Sequence, residues 1–258
     1  MTAPAQATNL VHTSAILTCE PAREAAPERA AIAAIRAIVP AAARVMGGDL
    51  RAADGDLFPE ELRAIENSVE KRRLEFRAGR NYARRALQQF GFGSGPIPVS
   101  ASRAPVWPVG FVGAIAHTGS LCAVIVARAS QFYGIGIDVE DDEPLKPELA
   151  RYIVATDDEL RDRQHFEACV DIDLPKLLFV IKEAMYKLYN PLTGSFLDFR
   201  DVRAIADPNS KRFTASLIQP DRPAARGRRC FDGGFGRTPG FIFAYVDMVC
   251  DGDGPAQP

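Results

Sequence analysis

The sequence predicts an α/β (α+β) fold, and three observations carry that prediction. Segments of helical period and segments of strand period alternate from one end of the chain to the other. Apolar residues make up 47% and charged residues 25%, the balance of an ordinary globular protein. No repeat of solenoid or propeller length is visible. The 258 residues suit one large domain or two small ones and suffice to bury a core without disulfide or metal staples.

Element by element, residues 1–13 are polar and rich in Ala, Thr and Pro, and read as a loose terminus. From about Ile16 a strand-like start leads into the Ala-rich stretch EAAPERAAIAAIRAIVP, whose helical pattern Pro40 interrupts. GGDLRAADGDLFPEE reads as a loop, with Asp49, Asp54 and Asp56 serving turns rather than a calcium site. Pro59 opens a long helix that is expected to reach about Phe90, with Glu60 and Glu61 favoured at its positive end. An apolar run from Ala114 to Ala129 is broken at His117-Thr118-Gly119-Ser120, and Tyr133 to Val139 reads as a short strand ending on acids. Residues 144–175 read as helix and loop. Pro175 starts a second strong helix, expected to end near Tyr189 before Asn190-Pro191. Phe196–Val202, Phe213–Ile218 and Phe241–Val249 read as strands, the stretch QPDRPAARGRRCFDGGFGRTPG as a long polar connection, and residues 251–258 as a loose tail.

Several function classes recede on composition. The formal charge is −2, so no global polycation is available for nucleic acid or a membrane surface. Apolar runs such as residues 121–127 fall well short of the ~20 residues that span a bilayer. MTAPAQATNL lacks the basic and apolar regions of a secretory signal. The five cysteines are widely spaced with no CxxC pair, which argues against zinc or a disulfide scaffold, favours a reducing cytoplasm, and leaves each cysteine as a small core side chain.

Three segments carry chemistry. In GIGIDVE, residues 134–140, strand alternation puts Asp138 and Glu140 on one face. Such a pair is either a solvated strand end, since Asp141, Asp142 and Glu143 follow, or a site for a hard cation such as Mg²⁺. In FVIKEAMYKLY, residues 179–189, Phe179, Glu183 and Lys187 share a helix face, with Lys182 and Tyr186 beside them. Alone this is an amphipathic helix; together with the strand it supplies acids and lysines for a metal-bound polyanion. KRRLEFRAGRNYARR, residues 71–85, holds seven basic residues and one acid, with Arg73, Arg77, Arg80 and Arg84 on one stripe suited to phosphate. RNA would use the same stripe, although no stacking platform accompanies it. His117, between Gly113 and Gly119, is either a phosphate contact or a structural histidine. Trp107 reads as a packing anchor.

Taken in order, KRRLEFRAGRNYARRAL, RAPVWPVGFVGAIAHT, GIGIDVE and FVIKEAMYKLYNPLTGSFLDF resemble the 4′-phosphopantetheinyl transferases, the large monomeric type and within it the enterobactin-synthase-like branch. The likeness covers roughly residues 57–202. Its most specific part is GIDVE followed about 40 residues later by F-x-x-KEAxxKxY.

The resemblance implies a pseudo-twofold arrangement of two similar α/β halves, here 14–133 and 134–250. It implies Mg²⁺-dependent transfer of phosphopantetheine from coenzyme A to a serine of an apo acyl or peptidyl carrier protein, releasing 3′,5′-ADP. Mn²⁺ is an acceptable substitute, the protein acts as a cytoplasmic monomer, and neither nucleic acid nor membrane is a partner. Asp138, Glu140 and Glu183 match the metal-binding acids, and Lys182 and Lys187 the motif lysines. Arg72, Arg80 and His117 match coenzyme A-contacting positions, with Thr118 next to His117. Phe179 stands where many members have Trp. Val99 and Ser102 occupy a stretch where relatives often carry lysine, so Arg103 is the substitute for that phosphate contact. In the implied chemistry Glu183, directly or through water, is the base for the carrier serine, Lys187 stabilises the departing bisphosphate, and His117 sits by the phosphates. The alternative is a non-catalytic module that binds coenzyme A or a carrier protein.

Overall fold

The computed structural model describes residues 26–250. The expected strand start near Ile16, the loose terminus 1–13 and the tail 251–258 lie outside the described residues.

Helix α1 (Pro27–Ile38) opens on a proline, whose missing N–H costs nothing in a first turn, and buries Ala31, Ile32 and Ile35. Strand β1 (Arg44–Asp49) then pairs antiparallel with β3 (Leu121–Arg128), which also pairs with β2 (Phe111–Thr118). The expected loop at Gly47-Gly48-Asp49 is therefore the end of a strand. Gly47 is there because a Cβ would lie 2.2 Å from the Cys122 carbonyl oxygen and 2.4 Å from Ile32, so the spacing demands glycine rather than a turn.

The single helix expected over 59–90 is two: α2 (Pro59–Arg63) and α3 (Glu70–Gln88). The break has a physical cause. Glu61 turns inward to accept both Arg84 Nη1 bonds and the Ile97 N–H, while Arg73 donates back to the carbonyls of Glu66 and Ser68 and holds the intervening turn. α3 packs Ala78, Tyr82, Ala83, Ala86 and Leu87 against Cys122, Val124 and Val126 of β3.

Strand β4 (Phe132–Asp141) begins a second sheet, in which β5 (Val202–Asp207), β6 (Arg212–Leu217), β7 (Cys230–Thr238) and β8 (Phe241–Val249) complete the order β4-β8-β7-β6-β5. All its pairings are antiparallel. Between β4 and β5 run α4 (Pro147–Ile153), α5 (Arg163–Val170) and the long α6 (Leu174–Thr193). α6 passes through Asn190-Pro191 instead of stopping before it. The proline falls in the last turn, where Thr193 Oγ1 donates to the Tyr189 carbonyl, and Gly194 at φ +68° caps the helix.

Two strands differ from expectation. The one expected at Phe196–Val202 begins only at Val202, and Phe196 is exposed. β7 lies in the stretch expected to be a connection, because CFDGGFG has the composition of a loop. Its glycines are packing solutions: a Cβ at Gly233 would lie 2.2 Å from the Phe213 ring, and one at Gly236 2.5 Å from the Phe243 ring.

Each sheet thus carries one long helix, α3 on the three-stranded sheet and α6 on the five-stranded one. A third apolar cluster joins α1, β2 and β3 to Ile135, Ile137, Phe243 and Tyr245 of the larger sheet. The expected division at 133/134 falls inside β4, which starts at Phe132. Among the described residues, no helix is long and apolar enough to cross a membrane. The described cysteines are all free, and only Cys122 is fully buried; Cys169 and Cys230 are exposed, so the expectation that each is a core side chain fails for them.

Candidate active site

The β2–β3 hairpin brings two distant segments together. Gly119, at φ +41°, turns the chain beside the end of β4, so closely that a Cβ there would lie 2.9 Å from Asp141 Oδ1. His117 and Thr118, the last residues of β2, are carried to the same end. α6 lies on β4 with almost no gap: a Cβ at Gly136 would be 1.9 Å from the Ala184 carbonyl oxygen. That contact sets Glu183 and Lys187 of α6 against Asp138 and Glu140 of β4.

Asp138 is 4% exposed, which removes the reading of this pair as a solvated strand end. Its Oδ1 accepts a 2.6 Å bond from Lys187 Nζ, and its Oδ2 is buried with no hydrogen-bond partner. Burial, then the negative charges of Glu183 and Glu140, push the Asp138 carboxyl up to about 6 against the pull of Lys187. Glu183 is raised as well, by burial first and then by Glu140, with Lys187 opposing. The three acids therefore feel one another. They are not yet gathered: Glu140 Oε2 is held 2.9 Å from Lys176 Nζ, and among the described residues no three His, Cys, Asp or Glu side chains converge closely enough to hold an ion.

A basic cavity of about 130 Å³ adjoins, lined by Arg72, Glu75, Phe76, Arg80, Arg103 and His117. Arg72 Nη1 donates to His117 Nε2 at 2.9 Å and reaches Glu75 Oε2 at 3.3 Å. An imidazole nitrogen that accepts from arginine carries no proton, so the ring is neutral with its hydrogen on Nδ1. Consistently, burial lowers His117 to about 4, with Glu75 opposing and Arg72 and Lys187 assisting. Arg80 is buried, donates from Nε to the Ile97 carbonyl, and stacks its guanidinium 4.1 Å from the Phe76 ring centre. Desolvation lowers it to about 10, leaving it charged near neutrality. A second cavity of about 320 Å³ shares Arg103 and Ile115 with the first and is walled by Trp107, Tyr186, Glu183 and Lys187.

The structure thus places Arg72, Arg80, Arg103 and His117 around one cavity and Arg103, Glu183 and Lys187 around the next, with Asp138 bonded to Lys187 and Glu140 to Lys176. It does not bring Lys182 there. Lys182 is 2% exposed, paired with Glu159 at 2.7 Å, and donates to the carbonyls of Ile153 and Phe199. The arginine stripe of α3 is likewise not one exposed face: Arg73 and Arg77 are exposed, whereas Arg80 and Arg84 are buried. Glu75, in the lining of the basic cavity, and Lys176, bonded to Glu140, lie outside the site residues expected from the sequence. Glu75 is the one acid among seven bases, and Lys176 lies on the helix face of Glu183 and Lys187, seven residues before the first.

Acids paired with lysines thus lie beside an arginine-lined cavity in a two-sheet α/β chain. The chain belongs to the 4′-phosphopantetheinyl transferase superfamily. A family model for the 4′-phosphopantetheinyl transferase N-terminal domain matches residues 59–127, and one for the 4′-phosphopantetheinyl transferase superfamily matches residues 134–230. The chain is 38% identical to the 4′-phosphopantetheinyl transferase Svp of Streptomyces mobaraensis over 75% of its own length and 79% of that protein's. It is 33% identical to the 4′-phosphopantetheinyl transferase Npt of Nocardia iowensis, over 73% and 91% respectively. Enterobactin synthase component D of Escherichia coli is 32% identical over 53% of this chain and 64% of that protein.

Proposed function

We propose that this chain moves 4′-phosphopantetheine from coenzyme A to a serine hydroxyl of an apo carrier protein, releasing 3′,5′-ADP, with Mg²⁺ held by Asp138, Glu140 and Glu183. One observation carries the reading beyond family membership: Asp138 presents a buried carboxylate oxygen with no partner, and the negative charges of Glu183 and Glu140 are close enough to raise its proton affinity. Hard oxygen donors with a bare, desolvated member suit a small divalent cation that completes its shell with phosphate and water. When bound there, the ion supplies charge neutralisation and polarisation at the diphosphate.

The chain's own groups do the rest. Coenzyme A carries roughly 3.5–4 negative charges. Arg72 and Arg80 take the 3′-phosphate end in the basic cavity, with Arg103 between that cavity and the second one. His117, neutral and bonded to Arg72, orients that guanidinium and borders the phosphates without adding a charge of its own. Thr118 lies beside it at the hairpin. The second cavity leads to Glu183, whose carboxylate accepts the serine proton directly or through water. Lys187, between Asp138 and that cavity, stabilises the charge developing on the departing bisphosphate. Lys182 has no part in ligand contact; it fixes the rotation of α6 from below.

Purified protein incubated with apo acyl and peptidyl carrier proteins, coenzyme A and Mg²⁺ should add one phosphopantetheine to a carrier, read by intact-mass spectrometry. Chelation should abolish the gain, and Asp138→Ala should lower the rate at least about 100-fold while melting remains cooperative. No mass gain on any carrier, or an unimpaired Asp138→Ala variant, overturns the reading.

A further inference from the structure

Lys176 is the unused charge of the site. It sits in the first turn of α6, eleven residues before Lys187 and seven before Glu183, so that the three share one helix face. It is 9% exposed, its Nζ is 2.9 Å from Glu140 Oε2, and the same ammonium lies 5.8 Å from the Phe179 ring centre. Burying a lysine requires a partner, and here the partner is a carboxylate of the acid cluster. The arrangement across the β4–α6 contact is a ladder. Asp138 meets Lys187, Glu140 meets Lys176, and Glu183 lies between the two lysines on the helix.

We propose that Lys176 is a positioning residue for Glu140: by occupying Oε2 it fixes the carboxylate and leaves Oε1 free for the divalent ion that accompanies coenzyme A. This rests on the proposed reading of the site. Two effects of opposite sign operate. The ammonium repels an incoming cation, but it also orders a carboxylate that is otherwise free to rotate toward solvent, and it offsets the combined charge of three acids and a diphosphate. The ordering effect prevails, because the Glu140 side chain is part-exposed and would otherwise turn away, whereas the ammonium's repulsion is already offset by the carboxylate it is paired with. Partners that orient a ligating carboxylate are commonly worth 10–100-fold in metal affinity.

The test uses the full chain with coenzyme A and Mn²⁺, titrating free Mn²⁺ by electron paramagnetic resonance, alongside steady-state transfer kinetics. Lys176→Met keeps the buried volume beside Phe179 and removes the charge; Lys176→Arg keeps the charge. Lys176→Met should weaken Mn²⁺ binding about tenfold and raise the KM for the metal similarly, with kcat within about twofold, and Lys176→Arg should restore most of the loss. Unchanged Mn²⁺ affinity in Lys176→Met, or a loss of melting temperature with no change in affinity, overturns the proposal and leaves Lys176 a structural ion pair. Tighter binding in Lys176→Met also overturns it, since the lysine would then be a competitor of the ion. If the unmodified chain binds no Mn²⁺ with coenzyme A, it is the reading of the site itself that fails.

Discussion

His117 illustrates how one contact decides a residue's chemistry. A histidine between two glycines is legible as a site candidate, yet its charge is not, because that depends on Arg72, 45 residues away, donating to Nε2. The folded ring holds its proton only below about 4, against 6.5 when solvated. Between those values the unfolded chain binds the proton more tightly, so stability contributed by the neutral ring is complete above pH 6.5 and is lost as the pH falls toward 4. Melting curves from pH 7 to pH 4.5 should therefore show the parent protein losing stability relative to His117→Gln as the pH drops. Parallel curves would mean that the ring does not titrate there. Asp138 makes the complementary point. Its type and its strand position were readable, but the solvated alternative fell only because the tip of β4 is covered by α6 and the β2–β3 hairpin.

At the scale of elements, the decisive contact is that of β4 on α6. Gly136→Ala places a methyl group 1.9 Å from a backbone oxygen that has no freedom to move. The strand must lift away, parting Asp138 from Lys187. A destabilisation of at least about 3 kcal/mol by chemical denaturation is expected. Gly93→Ala, in open space, should stay within about 0.5 kcal/mol. The other end of the helix rotation is set by Lys182 and Glu159. Glu159→Gln leaves a buried ammonium without its counter-charge and should cost about 3–5 kcal/mol. Because Lys182 does not reach the cleft, the KM for coenzyme A of the surviving folded protein should be unchanged; a large rise would return Lys182 to the ligand. Helices α1, α3 and α6 were legible from apolar period and proline signals. The break between α2 and α3 was not, since it depends on Glu61 turning toward Arg84 and Ile97 rather than on any local breaker. Nor was β7, whose glycines answer to rings on β6 and β8.

For the whole molecule, the cluster that runs from α1 through β2 and β3 to β8 makes the two sheets share a core. Thermal unfolding should accordingly be a single transition by both calorimetry and circular dichroism, rather than one transition for each half. If coenzyme A and Mg²⁺ bind at the proposed site, they should stabilise that transition as one, by about 2.7 kcal/mol at a hundredfold excess over Kd. Two separable transitions, or a ligand shift confined to one of them, would show that the sheets melt independently.

By itself the sequence determined the mixed fold class, the alternation that puts Asp138 and Glu140 on one side of a strand, and the helical spacing of Glu183 and Lys187. These follow from local stereochemistry, which a residue and its near neighbours specify. Only the tertiary structure decided which charges line the cavities and which are tied into the frame. Arg84 and Lys182 look from their spacing like site residues and prove to be buried ties, while Glu75 and Lys176 face the site. The reason is that an ionic side chain reaches several ångströms, and its partner is chosen by the packing of segments far apart in the chain, where the cost of burying an unpaired charge outweighs any local preference.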